Sequence, residues 1–230
     1  KNHKISDISF NSNNCKKNYI FFAIKGNNLN GNNFINHAIN KGAKTVVSNI
    51  KYEGFKKDVL FIRTNNVRRL LSETVSKIYR KKPKNLVAVT GTNGKSSIAD
   101  FYLQILKLNK KKVASIGTLG INSNKNKIGL QNTTLDSLQL AKYLSKLKDQ
   151  KIDNVILEAS SHGLSQNRLD GLKFQIGIFT NLSHDHLDYH KSYKNYLNAK
   201  LYLFRKLLKN NSNIITDFDI PEFKRIKIIS

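Results

Sequence analysis

"VAVTGTNGKSS" (87–97) begins as small apolar residues in an unbroken run and then turns through Gly91 and Gly94 into Lys95, Ser96 and Ser97. The order reads as a buried strand, a glycine-bearing loop and the start of a helix, which is the local plan of a phosphate-binding turn in an α/β domain. Backbone N–H groups of such a loop, together with the positive end of the helix, attract phosphate. Lys95 would then meet the terminal phosphates and the Ser96 hydroxyl a magnesium ion. The usual spacing G-x-x-x-x-G-K-[ST] is not met, because Val89 stands where the first glycine would be. An ordinary strand-to-helix turn is the plain alternative; the flanking elements and the intact Gly-Lys-Ser core favour a nucleotide.

Outward from this loop the same rhythm repeats. "LVAVT" (86–90), "KVASIGT" (112–118), "NVILEA" (154–159) and "QIGIFTNL" (175–182) read as strands. Between them Ile98, Phe101, Tyr102, Ile105 and Leu106 mark one helix face, and Leu138, Ala141, Leu144 and Leu147 another. Strands alternating with helices predict a mostly parallel sheet with helices on both faces. Upstream, "YIFFAI" (19–24), "TVVS" (45–48) and "DVLFIRT" (58–64) predict strands. Helices are expected around Phe34–Ile39, ending at Gly42, and over Val67–Ile78. "RKKPKN" (80–85) carries a helix-breaking Pro83 among exposed charges and marks the expected boundary. The expectation is thus an α/β chain with a small N-terminal domain at 1–82 and a P-loop-type domain at 83–230.

The chain has 230 residues, 39% of them hydrophobic and 24% charged, which suits a folded globular protein. Its longest strongly apolar run, residues 19–24, is far shorter than the roughly 20 residues needed to cross a bilayer. Cys15 is the only cysteine, so no internal disulfide forms, and a cytoplasmic setting is expected. A net charge of +25 would suit nucleic acid. The lysines, however, are spread along the whole chain with no aromatic ladder or arginine stripe, so no nucleic-acid partner is expected.

In an open parallel sheet ligands sit at the carboxyl ends of the strands. Glu158 ends one strand there, and a buried carboxylate needs a partner; magnesium beside a nucleotide would serve, as would a lysine. Ser160, Gln166 and Arg168 follow on the next loop, with a hydroxyl, an amide and a guanidinium suited to a carboxylate or phosphate-bearing substrate. The last strand runs into "SHDHLDYH" (183–190), with three of the chain's six histidines. Zinc fits it poorly: no cysteine is near, and His-x-His is not the i, i+4 pair of a helical zinc site.

"TGTNGKS", "EASSHGL" with "QNR", and "NLSHDHLDYH" with "YLNAK" together resemble the Mur ligases, and the second and third resemble the branch that adds the third amino acid to the peptidoglycan precursor. The resemblance covers nearly the whole chain. It implies that Gly91, Thr92, Asn93, Gly94, Lys95, Ser96 and Ser97 hold ATP, with Ser96 and Glu158 on one magnesium ion. It implies His186 on a second, and a carbamate (N6-carboxylysine) on Lys200 as an anionic oxygen ligand. Asn132, Thr133, Thr134, Ser160, Gln166 and Arg168 match contacts to UDP-N-acetylmuramoyl-L-alanyl-D-glutamate. Ser12, Asn27, Asn28 and Leu29 match the uridine-nucleotide pocket of the first domain.

The implied reaction is ATP-dependent amide formation through an acyl phosphate, joining a diamino acid to that dipeptide in a monomeric enzyme. The residues present do not select between meso-diaminopimelate and lysine, and meso-diaminopimelate is the one expected. A folylpolyglutamate synthetase and a non-catalytic nucleotide-binding fragment are the rival readings. Departures from the family pattern are Asn11 and Asn13 beside Ser12, "TTL" at 133–135, His184, and "TDFD" at 216–219. The chain does not open on methionine, and it is expected to be an amino-terminal portion whose central domain is incomplete and whose third domain lies beyond Ser230.

Overall fold

The computed structural model describes residues 3–26, 28–124, 126–129 and 133–229. Two compact units divide the chain, residues 1–71 and 72–230.

The first unit is built on a five-stranded sheet. Its strands are β1 (Asp7–Ser9), β2 (Tyr19–Phe22), β3 (Ala43–Ser48), β4 (Gly54–Lys56) and β5 (Val59–Arg63), in the order β1-β2-β3-β5-β4. All neighbours are parallel except β4 against β5. Phe21, Val46 and Phe61 pack with Ile35 and Ala38 of helix α1 (Ile35–Asn40). At the end of α1 the Gly42 N–H returns to the Ile39 carbonyl, at a φ of 105° that favours glycine. Helix α2 (Val67–Ile78) starts where the Asn66 side chain accepts the Arg69 N–H. The division between units falls inside α2, before the 82/83 position expected from "RKKPKN". Ser72 and Ser76 in its second half donate to the carbonyls of Asn167 and Gly171, so that half of α2 belongs with the larger unit.

The larger unit carries a seven-stranded sheet. Its strands are β6 (Asn85–Thr90), β7 (Val113–Gly117), β8 (Gly120–Ser123), β9 (Lys127–Ile128), β10 (Asn154–Glu158), β11 (Phe174–Phe179) and β12 (Leu208–Thr216). Their order is β12-β11-β6-β10-β7-β8-β9. The first five are mutually parallel, while β8 folds back antiparallel on β7 and β9 antiparallel on β8. The antiparallel hairpin and the edge strand β12 add to the four strands expected from sequence. On β12 the outward residues are polar or half-exposed, which blurs its strand signature.

Both faces of the sheet are covered, as the pleat of β6 shows. Leu86 and Ala88 face the large core that includes Leu140, Leu144 and Leu147 of α4 (Ser137–Asp149) and Leu197 and Leu201 of α7 (Tyr193–Tyr202). Val87 and Val89 face the other way, onto Ala99, Ile98 and Tyr102 of α3 (Lys95–Leu108). The expected face of α3 holds at Ile98 and Tyr102 and is corrected at Phe101 and Ile105. Ala99 and Leu103 are buried, whereas Phe101 and Ile105 are 60% and 57% exposed. Short helices α5 (Ser161–Ser165) and α6 (Leu187–His190) and a final α8 (Phe223–Lys227) complete the unit.

Truncating Leu103 to alanine is expected to cost about 2–4 kcal/mol of stability in denaturant unfolding. Phe101→Ala should cost less than about 0.5 kcal/mol, the reverse of what the sequence-derived face requires.

Candidate functional site at the carboxyl edge of the larger sheet

Chain direction parts at β6: one crossover leads through α3 to β7, and the chain later reaches β11 on the opposite side. That reversal opens a crevice beyond the carboxyl ends of β6, β10 and β11, where a ligand would lie. Residues 91–94 form the loop from β6 to α3. Gly91 has a φ of 151° and Gly94 of 83°. A Cβ on Gly91 would collide with the Thr180 hydroxyl, so glycine is required there for packing as well as for backbone.

The end of β11 straps this loop down. The Thr92 N–H donates to the Asn181 carbonyl at 3.0 Å and the Asn93 N–H to Asn181 Oδ1 at 3.0 Å. Thr180 Oγ1 donates to the Asn93 carbonyl at 2.6 Å, and the Ser183 N–H to Thr92 Oγ1 at 3.0 Å. Thr180, Asn181 and Ser183 were not singled out from sequence. Their signal was position alone, directly after an apolar strand that ends at the same edge.

Two lysines meet at one carbonyl. Lys95 Nζ donates to Gly91 O at 3.0 Å and to Thr92 O at 2.8 Å, and Lys200 Nζ donates to Gly91 O at 2.6 Å. Lys200 is only 1% exposed. Burial, with the Lys95 charge adding to it, pushes its ammonium down to about 7. Burial lowers Lys95 as well, against the opposing pull of Glu158 and Asp185.

Glu158 is buried at the end of β10. Its Oε2 accepts from Ser96 Oγ at 3.0 Å and Thr118 Oγ1 at 3.1 Å, and its Oε1 from the Thr118 N–H at 3.0 Å. Gly117 makes the space: a Cβ there would overlap the Glu158 carboxyl. Glu158 therefore joins the first turn of α3 to the end of β7, and Thr118 is a partner that sequence reasoning missed. Ser97 lies exposed on that first turn of α3.

The residues matched to the dipeptide substrate form a second group. Thr134 Oγ1 donates to the Glu158 carbonyl at 2.9 Å and lies 2.9 Å from Ser160 Oγ, which caps α5 through the Gly163 N–H. Arg168 donates to Gln166 Oε1 through Nε and Nη2 and to the Thr134 carbonyl through Nη1 at 2.6 Å. Burial lowers the Arg168 guanidinium, opposed by Asp136. Thr133 Oγ1 is 3.0 Å from Thr118 Oγ1. Asn132 lies outside the described residues, as does Asn27.

Beyond β11 the histidines gather around aromatic rings. His186 takes a left-handed backbone at φ 52° just before α6, and its Nε2 is 3.4 Å from Asp185 Oδ2. The His162 ring, unassigned from sequence, is 4.9 Å from His186, 5.5 Å from His190 and 4.1 Å from Tyr189. His190 is buried with its Nε2 unpartnered, and burial pushes it down to about 4. His190, the last of the three histidines in residues 183–190, therefore takes a core position. His184 sits 5.8 Å from the Tyr193 ring.

In the smaller unit, Ser12 is buried with its Oγ 3.0 Å from His37 Nδ1. Asn28 and Leu29 are exposed in the loop closed by the Gly26 N–H to Leu29 O bond of 2.8 Å and the Lys25–Asn30 bridge.

Comparison with known proteins gives these arrangements a lineage. Residues 89–229 match the Mur ligase middle domain. A UDP-N-acetylmuramoyl-L-alanyl-D-glutamate–2,6-diaminopimelate ligase of Rickettsia prowazekii is 43% identical over 235 aligned residues, covering 99% of this chain and 48% of the relative. A solved ligase of the same name superposes with a TM-score of 0.84 at 30% identity, over 98% of this chain and 45% of that one. A Thermotoga maritima MurF ligase in complex with ADP shares the fold, with a TM-score of 0.62 at 20% identity, over 98% of this chain and 48% of that one. The chain thus spans about half the length of the relatives it matches. The family match alone takes in more than half of the 230 residues, and the chain belongs to the Mur ligase family.

Proposed function

We propose that the chain is part of an ATP-dependent ligase that joins meso-diaminopimelate to UDP-N-acetylmuramoyl-L-alanyl-D-glutamate in peptidoglycan synthesis, working in the cytoplasm as a monomer. The observation that carries this reading is the meeting of Lys95 and Lys200 on the Gly91 carbonyl beside the Ser96–Glu158 bond. The choice of diaminopimelate follows the names of the 43% and 30% identical relatives. ATP follows from the loop itself and from the ADP carried by the Thermotoga maritima ligase.

The donor groups fit the implied ions. Ser96 Oγ and a carboxylate oxygen of Glu158 are hard oxygen donors 3.0 Å apart at the foot of the loop, a set that suits magnesium. Lys200, pushed down to about 7, offers at physiological pH a share of the neutral amine that takes up carbon dioxide, and the His186 ring lies 6.2 Å from the Tyr196 ring that Lys200 overlies. Magnesium held by Ser96 and Glu158, and by His186 with Lys200 as its carbamate, would supply charge neutralisation on the phosphate oxygens.

The chain's own residues do the positioning. The loop amides that the β11 straps leave free, towards the start of α3, and the Lys95 ammonium hold the transferred phosphoryl group, while the straps on Thr92 and Asn93 fix the loop of residues 91–97 in advance. Arg168, Gln166, Ser160, Thr133 and Thr134 orient the D-glutamyl end of the dipeptide. Ser12 and the Asn28–Leu29 loop take the uridine nucleotide. The γ-phosphoryl of ATP passes to the D-glutamate carboxylate, ADP leaves, and the diamino acid's amine attacks the acyl phosphate. Inorganic phosphate departs and the amine loses its proton as the amide forms.

Full-length protein is expected to release phosphate from ATP only when both the UDP-dipeptide and meso-diaminopimelate are present, with lysine slower by tenfold or more as an order of magnitude. Steady turnover with folate and glutamate would assign the chain to the sister class instead. Lys200→Ala should lower turnover by about a hundredfold or more. Short carboxylic acids should restore part of it and bicarbonate none; wild-type rate in that variant would remove Lys200 from the mechanism.

A further inference from the structure

Tyr196 is 1% exposed and heads the fully buried side chains by volume. A phenol buried so deeply needs a partner for its hydroxyl, and it has one in the phosphate-binding loop: Thr92 Oγ1, 3.1 Å away. The same Thr92 is held by the Ser183 N–H at 3.0 Å and through its own N–H by Asn181. The other end of the tyrosine does different work. Lys200 Nζ lies over its ring, 4.4 Å from the centroid, a distance at which the ring face attracts a cation. Residues 196 and 200 are one turn apart on α7, so a single helix face offers ring and lysine together. His190 and His186 flank the ring at 5.1 and 6.2 Å, leaving it little freedom to turn away.

We propose that Tyr196 is a positioning residue of the nucleotide site: its hydroxyl fixes Thr92 of the phosphate-binding loop, and its ring seats Lys200 against the Gly91 carbonyl. One side chain thereby sets both the loop that receives phosphate and the lysine that approaches it. The inference rests on the nucleotide-binding reading above. Tyr196 touches no reacting atom; it acts by fixing groups in advance, so that less order has to be imposed when the ligand arrives.

The test uses full-length protein, magnesium with a non-hydrolysable ATP analogue in calorimetry, and 13C-bicarbonate with NMR detection of a lysine carbamate. Tyr196→Phe keeps the ring and loses the hydroxyl. It should bind the analogue about three- to tenfold more weakly, the range of one hydrogen bond, with the carbamate signal intact. In a Thr92→Val background the same change should add no further loss, because the partner is already gone. Tyr196→Leu, which removes the ring that seats Lys200 as well as the hydroxyl, should bind the analogue more weakly again than Tyr196→Phe.

Wild-type affinity in Tyr196→Phe, or an equal further loss in the Thr92→Val background, overturns the hydroxyl's role. Equal affinity in Tyr196→Leu and Tyr196→Phe overturns the ring's role. If circular dichroism shows Tyr196→Leu unfolded, the phenylalanine variant in the two Thr92 backgrounds still decides. A wild-type protein that binds no analogue overturns the nucleotide reading and this inference with it. Binding by the wild type with both variants unchanged overturns this inference alone.

Discussion

A lysine ammonium enclosed in protein is a costly object, and the larger unit is arranged around one. Lys200 is almost wholly out of solvent, and burial brings it from an ordinary 10.5 to about 7. That corresponds to a penalty on the order of 5 kcal/mol on the charged form relative to the neutral one. Between pH 7 and 10.5 the unfolded chain holds the proton more tightly than the folded one. Stability from this group therefore rises with pH across that window, and the penalty is complete below it. What offsets the penalty at neutral pH is a short bond to the Gly91 carbonyl and the face of the Tyr196 ring. Both come from elements brought together by the parallel sheet, so the cost is met by the fold and not by a local turn.

Other features of the crevice follow from the same need to hold polar groups at a dry sheet edge. Glu158 is buried, and three hydrogen bonds from Ser96 and Thr118 satisfy it. The loop backbone is satisfied at Thr92 N–H and at Asn93 from the end of β11, and at the Gly91 and Thr92 carbonyls from Lys95 and Lys200. Each strand end thus serves its neighbour: β11 serves the loop after β6, β7 serves the acid on β10, and α7 serves the glycine at the start of the loop.

Local patterns carried a good part of this in the sequence, and contacts between distant segments did not show. The phosphate loop was legible because glycine, lysine and serine stand in fixed order between a strand and a helix. The central parallel strands were legible as short apolar runs. The face of α3 was legible at Ile98 and Tyr102, which pack on the sheet, but not at Phe101 and Ile105, because these satisfy helical periodicity as well as Ala99 and Leu103 do and periodicity does not fix the edge of the stripe that meets the sheet. β12 was missed because its residues alternate weakly between half-buried and exposed. The boundary was set at Pro83 by composition, whereas Ser72 and Ser76 bond to a loop about 95 residues away, which no local pattern reveals. Thr118, Tyr196 and the β11 straps belong to the same class: ordinary residues whose importance is entirely one of placement.

Gly117 carries a different kind of consequence. The Glu158 carboxyl occupies the volume where a side chain at 117 would begin. The backbone there is not of a kind that only glycine can adopt, so the restriction is one of shared space between two strands. Positions 117 and 158 are therefore a single choice: a chain of this fold keeps glycine with glutamate, or it changes both. A genome sequence carrying a larger residue at the first position and glutamate at the second would describe a protein whose acid points elsewhere, and whose chemistry at this edge is no longer the same.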